Sequence, residues 1–307
     1  MTTEPGRAGD RAGVLAGLPI EVVDVFAAAP LEGNPLAVVT VDAFPDAALR
    51  QAVARETNLA ETTFVARRPD AEGHWPVHIH TPAEELPFAG HPVLGTAWVV
   101  RERLARGADR LTLATGRGPV TVRFAAGEGG DRRAGRGATG WFRAPEVRLE
   151  AMPDTAPWCE ALQLAPAELT PERAPPAIVD VGPRFVVLQL ATRSRLAAIV
   201  PDAARLAQRL GARRATGVLL VAPAAAGEGD LAVRMFFDAH GLREDPGTGS
   251  AAAGLAALLR SAGYTGRLEI TQGVELGRRS RLHLEIEETG IALGGAVLPV
   301  YAGRFAS

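Results

Sequence analysis

A single cysteine, Cys159, in 307 residues excludes an intrachain disulfide. In a chain without a recognisable export signal that fits a reducing, cytoplasmic setting. Its surroundings, APWCEALQL, carry an amphipathic helical pattern, and neither a histidine nor a glycine loop adjoins it, so packing is a simpler reading than thiol reactivity. Neither charge dominates: 33 Lys and Arg stand against 35 Asp and Glu, with no long block of one sign. That argues against a nucleic-acid partner. The longest apolar runs, such as FVVLQLA and AAAGLAALL, fall short of the roughly 20 residues that span a bilayer, so a soluble protein is expected. Residues 1–17 lack the unbroken apolar core of a secretory signal and read as a disordered tail. Also missing are GxGxxG after a strand, GxxxxGK[ST] and GxSxG; GTGS is no P-loop, because no Lys follows it. No cofactor is expected. His74, His78 and His80 lie close together, as do Asp238 and His240, but no further ligand stands at a convincing spacing, and no metal site is expected.

What is present repeats. Strand-like runs (IEVVDVFA, LAVVTVD, TTFVARR, VHIHTP, LTLAT, PVTVRFA) and two helical patterns (DAALRQAVARE, PVLGTAWVVRERL) precede the Gly/Arg-rich loop AAGEGGDRRAGRGATG, and a similar order of elements follows it. Each half holds a small-residue turn opening a nearly all-apolar helix, FAGHPVLGTAWVV and DPGTGSAAAGLAALL, with Gly90 and Gly249 159 residues apart. A helix apolar on every face must be surrounded. The expected fold is α+β: two similar domains, each wrapping curved strands around a central helix. The first covers 18–135, with 291–307 as a possible completion, and the second covers 136–290.

A helix start leaves four amides unpaired and carries partial positive charge, so it either takes a capping side chain or holds an anion. If both starts face one cleft, Gly90, Gly249 and Ser250 would hold a small carboxylate from two sides. Glu61 in NLAETTF has apolar neighbours that would raise its pKa towards general-base range; the alternative is an exposed strand-end charge. His91 in AGHP stands where the helix dipole favours a neutral ring, which can donate and accept a proton; it is equally read as a cap or packing residue. Asp245 reads locally as a cap for the second helix.

Taken in order, VDVFAAAPLEGNPLAVV, NLAETTF, TPAEELPFAGHPVLGTA, DPGTGSAAAGL and ITQGVELGRRS closely resemble the phenazine-biosynthesis PhzF-like family over nearly all the chain except the N-terminal tail. The resemblance implies the diaminopimelate-epimerase-like fold, an active site between the two domains, and a homodimer. It matches Glu61 to the family's proton-transferring glutamate. His91, Asp245 and Ser250 match residues that bind substrate or assist proton movement, Gly90 and Gly249 match the helix-start glycines, and Asn34 in GNP matches a position near the cleft. Related racemases use two opposed cysteines; here Ala89 and Pro246 stand at those positions, so a two-thiol mechanism is excluded. The chain departs from the family at Arg279, where proline is expected, and in the extra histidine of HIHTP; both changes could alter the pocket.

The resemblance therefore implies a cofactor-independent isomerase that shifts a proton and a double bond in a small unsaturated cyclic acid. Candidates are trans-2,3-dihydro-3-hydroxyanthranilate and a pyrroline carboxylate. A single-base epimerase and a catalytically idle metabolite-binding or scaffold protein are the competing readings.

Overall fold

The computed structural model describes residues 13–125, 139–152, 154–170, 174–238 and 241–306. Of the expected tail, residues 1–12 lie outside the described residues and 13–15 are helical; of the Gly/Arg-rich loop, 126–138 lie outside them.

Strands β1 (Pro19–Val25) and β2 (Asn34–Val41) pair antiparallel, and helix α1 (Ala47–Thr57) returns the chain so that β3 (Glu61–Ala66) runs parallel to β2. Next come β4 (Trp75–His80), antiparallel to β3, the short β5 (Glu85–Leu86) folded back on β4, and helix α2 (Gly90–Arg103). β6 (Arg110–Thr115) is parallel to β4 and continues antiparallel through β7 (Gly118–Ala125) to β8 (Thr139–Arg143). After β9 (Arg148–Ala151) and α3 (Ala156–Leu162) the same pairings recur. β10 (Ala177–Asp180) and β11 (Arg184–Gln189) are antiparallel, and a crossover through α4 (Arg193–Ala197) and α5 (Ala203–Arg213) leads to parallel β12 (Gly217–Pro223). Then follow antiparallel β13 (Leu231–Asp238), the short β14 (Leu242–Asp245), helix α6 (Gly249–Ser261), β15 (Gly266–Gln272) parallel to β13, and antiparallel β16 (Ser280–Glu287) and β17 (Gly290–Arg304).

The first sheet closes as a barrel, β1–β2–β3–β4–β6–β7–β8–β17 and back to β1, around α2. Its wall extends past residue 135, because β8 pairs with both β7 and β17. The second sheet curves through β9–β10–β11–β12–β13–β15–β16–β17 around α6. β17 serves both: its first residues pair with β16 and β8, and residues 297–304, apart from a bulge, pair with β1. The fold is thus α+β, with two similar units, each built around a central helix.

The composition of the elements follows from this double coverage. A strand with a helix on each side reads as a continuous apolar run, and β2, NPLAVVTV, is buried at all but one position, between α1 outside and α2 inside. The eleven residues Gly90–Val100 of α2 are all buried, as are Gly249 and Ala251–Leu259 of α6. Each helix has a second glycine five residues after its first. A β-carbon on Gly95 would lie 2.6 Å from Leu36 Cδ2, and one on Gly254 2.3 Å from Val179 Cγ2. Small residues here let the wall touch the helix backbone. Gly254→Ala gains about 1 kcal/mol of helix propensity, but it collides with a β-branched side chain whose Cβ is only 3.0 Å away. Overpacking of this kind costs about 1–3 kcal/mol, so we expect a net loss of stability, seen as a lower midpoint in urea unfolding.

Cys159 of α3 is buried in a second core cluster with Trp158, Ala161 and Leu162 of the same helix and Leu206 and Leu210 of α5, and burial raises its thiol pKa. It packs, as its helical surroundings suggest. No helix among the described residues is long and apolar enough to cross a membrane.

Candidate active site

The two central helices meet start to start. A β-carbon on Gly90 would lie 3.5 Å from the Cα and carbonyl carbon of Gly249, and one on Gly249 3.7 Å from Gly90 Cα. Side chains at these two positions would fill the junction. Capping does not account for either start. Asp46, Thr192 and Asp202 cap α1, α4 and α5 by accepting an amide hydrogen bond of 2.7, 3.2 and 3.0 Å respectively. In contrast, the N-cap residues of α2 and α6, Ala89 and Thr248, make no side-chain cap. Thr248 turns its hydroxyl away, donating to Asp245 Oδ2 and accepting from Gln272 Nε2 at 3.0 Å. Two partial positive charges of the helix dipoles therefore face one junction. His91 and Ser250 occupy the same place in the repeat, each the second residue of its helix.

Four side chains from both halves converge beside the junction. Glu61 begins β3, Asn34 begins β2, His91 opens α2 and Asp245 ends β14. Glu61 Oε2 lies 3.2 Å from His91 Nε2. Asn34 Nδ2 donates to Asp245 Oδ1 at 2.9 Å and to the Gly247 carbonyl at 3.0 Å, and stands 3.4 Å from His91 Nδ1. The opposite orientation of this amide would set its oxygen against two acceptors. The amino nitrogen therefore faces His91, with its two hydrogens given to Asp245 and Gly247; an N–H on Nδ1 would point at that nitrogen, so the neutral ring carries its proton on Nε2, towards Glu61. Gln272, 1 % exposed, completes the frame: its Nε2 donates to the Asp245 carbonyl at 2.7 Å and its Oε1 accepts from Thr248 N at 3.0 Å.

Burial sets the protonation states. It pushes the Glu61 carboxyl up to about 8, with the Asp245 charge adding to the rise. It pushes the His91 imidazole down to about 3, so the ring is neutral. Asp245 is also raised by burial, but the hydrogen bonds from Thr248 and Asn34 oppose the rise. Of the two carboxyls, Asp245 has two side-chain donors and carries the charge, while Glu61 holds the proton near neutrality. Glu61 Oε2, His91 Nε2 and Asn34 Oδ1 are buried and lack an aligned hydrogen-bond partner among the described residues. Buried polar atoms are rarely left so unless something else binds them. The arrangement can hold an anion at the helix starts and move a proton at Glu61.

All seven residues singled out in the sequence sit in or beside this junction. Glu61 is no exposed strand-end charge: its side chain is 15 % exposed. The extra histidine of HIHTP does not join the site. His78 Nδ1 and His80 Nε2 lie 2.5 and 3.7 Å from the two oxygens of Glu85, an acidic partner supplied across the β4–β5 hairpin. Arg50 Nε also donates to His80 Nε2 at 3.2 Å, and burial brings that ring down to about 4. A guanidinium on the ring's lone pair opposes metal binding. Arg279 lends only its carbonyl near the site, to the amide of Gly33 at 2.8 Å. His240 lies outside the described residues, and Asp238 accepts from the Gly241 amide at 3.0 Å. Sequence reasoning missed Gln272, although it stands within the quoted motif ITQGVELGRRS.

Comparison with known proteins shows the family of the chain. The profile of the family described as "Phenazine biosynthesis-like protein" (PhzC-PhzF) matches residues 23–299. The chain is 38 % identical over 273 residues to the trans-2,3-dihydro-3-hydroxyanthranilate isomerase of Pseudomonas aeruginosa, covering 88 % of this chain and 90 % of the relative. It is 35 % identical over 274 residues to the isomerase of the same name from Pseudomonas fluorescens, covering 87 % and 89 %. Among solved structures, a predicted epimerase from Pseudomonas aeruginosa superposes with a TM-score of 0.78 at 30 % identity, covering 94 % of this chain and 99 % of that one. A probable proline racemase from Agrobacterium radiobacter, with a TM-score of 0.64 at 10 % identity over 94 % and 93 %, shares the fold. With the family profile spanning most of its length and isomerases among its relatives, the chain belongs to the phenazine biosynthesis-like family and is an isomerase.

Proposed function

We propose that this isomerase moves a proton, and with it a double bond, within a small unsaturated cyclic carboxylic or amino acid, using Glu61 as its acid–base group and no cofactor. The observation that carries this reading is the buried Glu61 carboxyl, 3.2 Å from His91 Nε2 and beside two helix starts that no N-cap side chain closes.

The substrate carboxylate binds the free amides at Gly90–His91 and Gly249–Ser250, where each helix end contributes up to about 2 kcal/mol in a partly buried site. Ionised Glu61 takes a proton from an activated C–H. The released electron pair forms a new C=C bond as the old one shifts along the conjugated system, and Glu61 returns the proton to the distal carbon, so composition is unchanged. One carboxyl serving both steps delivers the proton to the face it left. His91, with its proton on Nε2, donates to the charge that develops on the substrate. Asp245, held by Asn34 and Thr248, supports the polar substituents. Holding the reacting atoms within proton-transfer reach supplies much of the acceleration.

The first candidate substrate is trans-2,3-dihydro-3-hydroxyanthranilate, on which the relatives act according to their names. Incubated with enzyme in deuterium oxide, it should yield a product with a shifted double bond, carrying deuterium at the new carbon in those turnovers in which the protonated Glu61 exchanges with solvent before the return step. Inversion of a centre without movement of unsaturation would make the protein an epimerase. Binding without exchange or rearrangement, across cyclic unsaturated acids, would defeat catalysis altogether.

A further inference from the structure

The loop between β1 and β2 is held in an unusual conformation. Phe26 and Leu31, neither a glycine, adopt φ of 63° and 66°, and Gly33 follows at 75°. Non-glycine residues in the left-handed region are strained and persist only where surrounding contacts hold them. Phe26 is fully buried, and its ring fills the space that β-carbons would take at Gly249 and Gly295, its Cζ and Cδ1 lying 3.3 and 2.3 Å from those positions. This first-half loop is thus wedged against the start of α6. It ends at Asn34, the residue that reaches both His91 and Asp245.

The side chain that holds the loop comes from the other half of the chain. From the β15–β16 connection, Arg278 donates through Nε to the Gly33 carbonyl at 3.0 Å, and through one terminal nitrogen to Asp24 Oδ1 at 2.6 Å and the Glu32 carbonyl at 3.2 Å. Asp24 is 1 % exposed, and its other oxygen accepts from the Leu31 amide at 3.0 Å. The Gly33 amide donates to the Arg279 carbonyl at 2.8 Å, and the Arg281 amide donates to the Phe26 carbonyl at 2.8 Å. One guanidinium therefore serves a buried carboxylate and two carbonyls in the residues just before Asn34, a task suited to its planar set of donors.

We infer that Arg278 is a positioning residue, anchored by Asp24, which fixes loop 26–33 so that Asn34 presents its amide to His91 and Asp245. The inference rests on the proposed role of that site, but its test does not depend on the substrate. In Arg278→Ala, amide exchange at Leu31 and Gly33 should rise at least tenfold. The nitrogen spectrum of the His91 ring should change from the single Nε2–H form to a mixture of tautomers, while exchange in the core strands β2 and β11 stays as in the wild type. Arg278→Lys, which keeps the charge on Asp24 but not the fork, should fall between the two. With trans-2,3-dihydro-3-hydroxyanthranilate, Arg278→Ala should lower kcat at least tenfold with a smaller change in KM. In an Asn34→Ala background the same substitution should cost little, because it acts through Asn34.

Wild-type tautomer and loop exchange in Arg278→Ala would overturn the inference, as would full additivity with Asn34→Ala. If Arg278→Ala is unfolded, Arg278→Lys and Asp24→Asn decide by the same ring and exchange signals. If the wild type does not turn this substrate over, the functional reading fails at that point, and the ring and exchange signals still judge the clamp.

Discussion

Glu61→Gln is expected to lower kcat/KM for the isomerisation by a factor of at least about 10³–10⁴ while leaving substrate affinity within a few-fold. The amide keeps the shape and hydrogen-bonding capacity of the carboxyl but cannot accept the proton, and a positioned general base typically contributes about 10²–10⁴ in rate. The factor is placed at the high end because the neighbouring groups are engaged: Asp245 is held by Asn34 and Thr248, and His91, with Nδ1 on the side of Asn34, resists protonation down to about pH 3. Full activity in this variant would end the assignment of Glu61. The wild-type pH profile provides a second check. Because the carboxyl titrates near 8, kcat/KM should rise about tenfold per unit through neutrality and level off above pH 8. Asp245→Asn removes the neighbouring negative charge that adds to the rise, and should move this limb to lower pH. A flat profile from pH 6 to 9 would contradict a buried glutamic acid as the base.

The same substitution should make the protein more stable, and increasingly so as pH rises. In the unfolded chain Glu61 ionises near the ordinary glutamate value of 4.5, whereas in the fold it keeps its proton to about 8. Between those values the folded state binds more protons than the unfolded one, so wild-type stability falls with rising pH, and the loss is complete above pH 8. The difference between 4.5 and about 8 corresponds to an upper bound on the order of 5 kcal/mol. Glutamine lacks this titration. The difference in unfolding free energy between variant and wild type should be small at pH 4.5 and reach several kcal/mol by pH 8.5, measured by urea unfolding across that range. His91 acts in the opposite sense. Its folded pKa, about 3, lies below the unfolded value of 6.5, so its contribution is present above 6.5 and lost as pH falls towards 3. Between 4.5 and 6.5 the two slopes oppose one another; above 6.5 only the Glu61 loss remains of the pair. A site that costs stability in its working state is the usual compromise of an active centre.

The seven residues picked from the sequence lie together at the junction, and local signals carried part of that choice; the resemblance to the family supplied Asn34 and decided for Glu61, His91 and Asp245 against their surface or capping readings. Small residues opening an all-apolar helix, a carboxyl among apolar neighbours and a histidine at a helix start each describe an environment within a few positions of the residue. Against that, the sequence assigned β8 to the second unit, because the Gly/Arg-rich stretch before it has the composition of a linker, and composition does not reveal which strand a segment joins. Gln272 and Arg278 also escaped notice. Their partners, Asp245 and Asp24, are 27 and 254 positions away in the chain. No local pattern records such a pairing.

The amino-acid order by itself determined the repeat, the two buried helices and the residue types at their starts, since hydrophobic periodicity and steric size act along the chain. Only the tertiary structure decided that the two starts face each other uncapped, that Asn34 of one half donates to Asp245 of the other at 2.9 Å, and that Glu61 is thereby withdrawn from water beside His91. Burial and mutual distance set the acidity of these groups. Both are properties of how the two halves pack, which no single stretch of sequence contains.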